Sequence, residues 1–81
     1  MDELEKRKRA VVRRERHTAI GYMNLTGVKG KKYKRAVAAI DRCCKGIEAE
    51  LAEGKRYSEK RIRSLVFSAR DAELKKQVCA S

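Results

Sequence analysis

Between Lys31 and Glu53, the residues Tyr33, Val37, Ile40, Cys44, Ile47 and Leu51 follow one another at steps of three or four, and no proline anywhere in the chain interrupts such a pattern. That spacing puts one apolar side chain per turn on a single side of an α-helix, so the segment predicts an amphipathic helix with a stripe to bury. Gly54 stands just past the last apolar residue, where a left-handed backbone closes a helix. Ser58 is suited to cap the next one. From Glu59 onward, Ile62, Leu65, Val66, Ala69 and Ala72 form one face, which Phe67, Leu74 and Val78 widen.

The opening segment is less regular. Its apolar positions, Leu4, Val11, Val12, Ala19, Ile20 and Met23, are interspersed with charges, and Gly21 weakens the last turns. Asp2, Glu3 and Glu5 complement the positive end of a helix dipole and favour a start there, although residues 1–9 read as a loose beginning. Asn24 to Gly30 holds two glycines and an asparagine and marks the main loop. Gly46, inside the middle helix, costs about 1 kcal/mol relative to alanine and is expected to let a neighbouring helix approach closely.

These readings give an all-α chain, a small three-helix bundle or an extended helical hairpin with a long basic N-terminal helix. One helical domain spans 1–81, with helices at about 2–24, 31–53 and 59–78. A chain of this length has room for one modest core, since small folds bury only about 60% of the surface their unfolded chains expose. With 42% apolar, 41% charged and 5% aromatic residues, the composition suits a helical bundle with a charged exterior better than a sheet.

No uncharged stretch approaches the roughly 20 apolar residues that cross a bilayer, and Met1 to Glu5 opens nothing like a signal peptide. Cytoplasmic residence is the expectation. Cys43, Cys44 and Cys79 are odd in number and two are adjacent, so they read as free thiols, with Cys44 a small core residue. No metal site and no cofactor are expected. His17 has no carboxylate, serine or cysteine at a catalytic spacing, so the chain is not expected to be an enzyme.

Charge supplies the functional signal. The first forty residues hold twelve Lys or Arg against four Asp or Glu, a net of +8, and the rest hold ten against seven, a net of +3. A sign-biased half draws polyanions, of which nucleic acid is the commonest inside cells. Two segments concentrate the bias. In the first, Lys6, Arg7, Lys8, Arg9, Arg13, Arg14 and Arg16 crowd eleven positions, and on a helix Arg9, Arg13 and Arg16 share a face with Lys6 one turn before. Arginine adds planar bidentate donors for phosphate and guanine edges. In the second, Gly27 to Gly30 leads into a helix start bearing Lys31, Lys32, Lys34 and Arg35, with Lys29 just ahead, where unpaired backbone N–H groups suit a phosphate. The two are expected to merge into one cationic surface.

Further candidates are weaker. Lys60, Arg61, Arg63, Ser64 and Arg70 are placed to face away from the last helix's apolar stripe, as on a recognition helix or simply a solvated face. Among the tyrosines, Tyr33 fits the core stripe, whereas Tyr57 beside Lys55 and Arg56 is the one expected to be exposed for stacking on a base, the alternative being a turn tyrosine that covers the end of the bundle.

Three local resemblances accompany these residues. Arg13-Arg14-Glu15-Arg16 resembles the arginine-rich helices by which phage antitermination proteins grip RNA hairpins. Gly27-Val28 is similar to the glycine–hydrophobic pair of the helix-hairpin-helix DNA-binding turn, with Ala36 near that family's small helical position, but Lys29 stands where the family has its second glycine. Arg42-Cys43, Tyr57-Ser58 and Phe67-Ser68-Ala69 together resemble the Hha/YmoA group of small helical nucleoid modulators, which implies a protein partner.

The expectation is a nucleic-acid-binding regulator, for DNA or RNA, contacting phosphates through its N-terminal helix and the Gly27 to Arg35 junction. The alternative is a phage- or plasmid-type inhibitor or modulator that docks its basic surface on an acidic surface of a host nucleic-acid-processing or nucleoid protein. A thin core and a wide last stripe also suggest a homodimer.

Overall fold

The computed structural model describes residues 3–79, apart from the side chains of residues 4 and 76–79. The expectations for Asp2 and for the side chains of Leu4, Val78 and Cys79 lie outside the described residues. Three helices, α1 (Glu3–Leu25), α2 (Lys31–Ala52) and α3 (Glu59–Cys79), run up, down and up. The short connections at 26–30 and 53–58 force sequential helices to lie antiparallel. Each helix packs on both others, so the chain is a three-helix bundle and not an open hairpin. Its extents are 45 × 22 × 18 Å.

The stripe on α2 is the middle of the core. Ala36, Ile40, Cys44, Ile47 and Leu51 are buried, with Tyr33 and Val37 packed at the margin. They meet Val11, Val12, Ala19 and Met23 of α1 and Ile62 and Val66 of α3 in one apolar cluster. Each large aliphatic side chain removed from water there contributes roughly 1.5–3 kcal/mol relative to exposure. On α3 the buried face is narrower than the expected arc: Ile62 and Val66 are fully enclosed, Leu65, Phe67 and Leu74 are half-buried, and Ala72 faces solvent.

Glycine closes the first two helices. At the end of α2, the N–H of Gly54 donates to the Leu51 carbonyl and that of Lys55 to the Glu50 carbonyl, the paired bonds of a left-handed C-terminal cap, and Gly54 has φ 93°. The end of α1 repeats the arrangement, with Gly27 at φ 80°, Gly27 N–H donating to Asn24 and Val28 N–H to Met23. α3 starts as expected: the Ser58 hydroxyl accepts the Arg61 N–H at 3.1 Å.

α1 is helical from Glu3 onward, and Arg9 and Glu5, one turn apart, form an ion pair at 3.2 Å. Two expectations are corrected. Gly46 has no neighbouring atom within 4 Å of an added Cβ, so it faces open space and admits no close helix. Tyr57 is half-buried against the core, and Tyr22 is the exposed tyrosine, at 51%.

Candidate functional site

The two basic segments fold into different environments. α1 lies on α2 along one flank and on α3 along the other, and both contacts recruit its arginines. Arg16 hydrogen-bonds to Asp41 of α2, and that bond holds its guanidinium more firmly protonated than usual. Arg9 is paired with Glu5, and its Nε is buried with no hydrogen-bond partner among the described residues. On the opposite flank, Arg14 lies 3.7 Å from Glu15 and 3.6 Å from Glu59 of α3. Arg9, Arg14 and Arg16 are thus engaged by the chain's own carboxylates. Lys6, Arg7 and Arg13 remain exposed.

Glu15 is the residue that sequence reasoning missed. Its phase, three residues after Val12 and four before Ala19, sets it on the apolar face, and it is 2% exposed. A carboxylate removed from water needs donors, and Arg63 reaches across from α3 to supply them: its Nε lies 3.2 and 3.3 Å from the two carboxylate oxygens, and an Nη lies 3.2 Å from one. That bidentate bond raises the Arg63 pKa, with the charge of Glu15 adding to it. Arg63 therefore has a structural partner and is not a free recognition residue. Arg70 is likewise drawn in: its guanidinium lies 4.8 Å from the Phe67 ring centroid and donates to the Ala19 carbonyl at 3.4 Å. Lys60, Arg61 and Ser64 do face solvent.

The junction is different. Lys29, Lys31, Lys32, Lys34 and Arg35 are all exposed, and none forms an ion pair among the described residues. From Arg16 to Ile40 the chain has no Asp or Glu, so no local carboxylate is available to quench them. Gly30 precedes α2 without a side-chain cap, and the first turn of α2 contains no acidic residue. Cations therefore crowd the positive end of a helix dipole, where an anion is the favoured occupant. This arrangement is locally repulsive until a counter-charge arrives.

The start of the first segment does not merge with the junction. Lys6 lies near the start of α1 and the junction lies beyond its end, a separation of roughly 30 Å at 1.5 Å of rise per residue. Of the eleven candidate residues, the structure clusters Lys29, Lys31, Lys32, Lys34 and Arg35 around the start of α2, and it leaves Lys6, Arg7 and Arg13 exposed along α1.

Cys43 and Cys44 are free thiols. Burial raises both, and it pushes Cys44 up to about 11, so neither is a thiolate nucleophile at neutral pH. Among the described residues, no three His, Cys, Asp or Glu side chains group as a metal site. No helix there is long and apolar enough to cross a membrane. No protein-family model, curated protein or solved structure matches the chain.

Proposed function

We propose that this chain is a small nucleic-acid-binding regulatory protein that grips backbone phosphates through the Gly27 to Arg35 junction, with Lys6, Arg7 and Arg13 as an auxiliary face. The observation that carries the reading is the cluster of five exposed cations around an uncapped helix start, in a stretch without a single carboxylate. Phosphate supplies the negative charge that the stretch from Arg16 to Ile40 lacks and accepts hydrogen bonds from lysine, arginine and the free N–H groups of the first turn. Contacts of this kind position a strand without reading its bases. The protein acts by binding, and its reduced thiols suit a cytoplasmic setting.

Fluorescence anisotropy with labelled duplex DNA and RNA oligonucleotides across a salt series tests it. Each phosphate neutralised contributes about −0.9 to the slope of log K against log salt on duplex DNA, so five contacts give roughly −4 to −5. Replacing Lys31, Lys32, Lys34 and Arg35 together by Gln should remove about three to four units of that slope. Absence of binding at low salt, or a slope unchanged by the quadruple substitution, overturns the reading. The first outcome directs the search to an acidic protein surface as the partner.

A further inference from the structure

The other end of the bundle carries a feature that phosphate gripping at the junction does not use. A cleft of about 600 Å³ opens where the start of α1, the end of α2 and the α2–α3 connection converge. It is twice the size of two other depressions, of about 300 and 280 Å³. Its volume falls in the range that small-molecule sites occupy, roughly 300–1,000 Å³. One wall is apolar, made by Leu51, Ala52 and the half-buried Tyr57. Lys8, Lys55 and Arg56 line the rest.

The charges decide what would enter. Glu5 is the one carboxylate in the lining, and Arg9 already holds it at 3.2 Å. Lys55 lies 3.6 Å from Glu50, with both side chains open to solvent, a pairing that a ligand anion displaces at little cost. Lys8 is half-buried and Arg56 exposed, and neither has an ion-pair partner among the described residues. The cleft therefore offers a surplus of cations beside an aromatic ring and a small aliphatic wall. A planar ring attached to a phosphate satisfies both halves at once, since the ring covers Tyr57 and the aliphatic wall while the phosphate meets the ammonium and guanidinium groups.

We infer that the cleft between the start of α1 and the α2–α3 connection is a nucleotide-binding site, filled by a base and its phosphate with Tyr57, Lys8 and Arg56 as the recognising residues. The nucleotide is either free in solution or the phosphorylated end of a strand. The strand-end form rests on the nucleic-acid reading above, and the free form does not.

Two-dimensional NMR of the labelled full chain, titrated with adenosine 5′-monophosphate, adenosine and inorganic phosphate, is the test. Saturable shifts at Leu51 to Ser58 and at Lys8 are expected with the nucleotide, at an affinity at least tenfold above that for adenosine or phosphate. Ala52 is exposed at the end of α2, so Ala52→Trp fills the cleft without disturbing the core, and Arg56→Gln removes a charge from the connection. Both should weaken the nucleotide at least fivefold while the spectrum stays folded. A 5′-phosphorylated oligonucleotide that binds several-fold more tightly than its unphosphorylated twin, with the difference abolished by Ala52→Trp, identifies a strand end, and equal binding of the two identifies the free nucleotide.

No shift at the cleft, shifts confined to Lys29 to Arg35, or full affinity in Ala52→Trp overturns the inference. The quadruple junction variant separates the two readings. Should it lose strand binding and keep the nucleotide shifts, both stand, whereas nucleotide shifts without any strand binding in the unaltered protein leave the cleft and discard the junction.

Discussion

Replacing the buried carboxylate of Glu15 by its neutral isostere should harm this fold more than replacing it by a hydrocarbon-like chain. In Glu15→Gln the volume is kept, but the new amide NH2 brings two donors to a site whose polar neighbours are guanidinium groups from Arg63 and Arg14, which accept nothing. An orphaned buried donor costs about 1–3 kcal/mol, and the charge-assisted bonds to the carboxylate are lost as well. In Glu15→Met a side chain of similar length fills the same 2% exposed position, and Arg63, which is largely in solvent, returns to water. Exchanges of buried ionic groups for well-packed apolar ones are often neutral or stabilising by 1–4 kcal/mol. The Met variant should therefore exceed the Gln variant by at least about 2 kcal/mol, roughly 8–16 °C in Tm for a domain of this size. Urea and thermal unfolding followed by far-ultraviolet circular dichroism measures the difference. A Gln variant as stable as the Met variant, or more so, would refute the view that the carboxylate is enclosed and fed only by cationic donors.

Two further outcomes are expected. Burial raises the Cys44 thiol from an ordinary 9.0 to about 11, so the folded state holds that proton more tightly than the unfolded chain; this contribution is complete below about pH 9 and is lost as pH rises towards 11, on the order of 2–3 kcal/mol. Unfolding of the parent and of Cys44→Ala across that window should converge, and parallel curves would show that the thiol carries no such linkage. Gly46→Ala, in open space on a helix, should stabilise by about 1 kcal/mol, whereas Gly54→Ala, at φ 93°, should destabilise by about 1 kcal/mol or more; equal effects in the same denaturation assay would contradict the assigned cap.

The parts of the fold readable from sequence were those fixed by local rules. The α2 stripe repeats at helical spacing and packs accordingly, and Gly27, Gly54 and Ser58 act through bonds to residues within one turn of themselves. What escaped was set by partners distant in the chain. Glu15 finds Arg63 forty-eight positions away, and Arg16 finds Asp41 across the α1–α2 seam. A count of arginines registers a cationic helix without revealing that three of them are already occupied. Phase alone would have flagged Glu15, because it falls between Val12 and Ala19 on the buried side. The charged neighbours of Tyr57 argue for an exposed ring, yet a connection that closes the end of a bundle turns its largest ring inward.

Greasy stripes tolerate sliding, because one aliphatic knob fits a neighbouring hollow nearly as well as its own. The Glu15–Arg63 clasp removes that tolerance. Shifting α3 by one turn, about 5.4 Å, would carry the Arg63 guanidinium out of reach and leave the enclosed carboxylate only the longer approach of Arg14, at 3.7 Å. A single acid thereby acts as an index pin for the bundle: it selects the vertical setting and rotation of the last helix from a family of otherwise nearly equivalent packings.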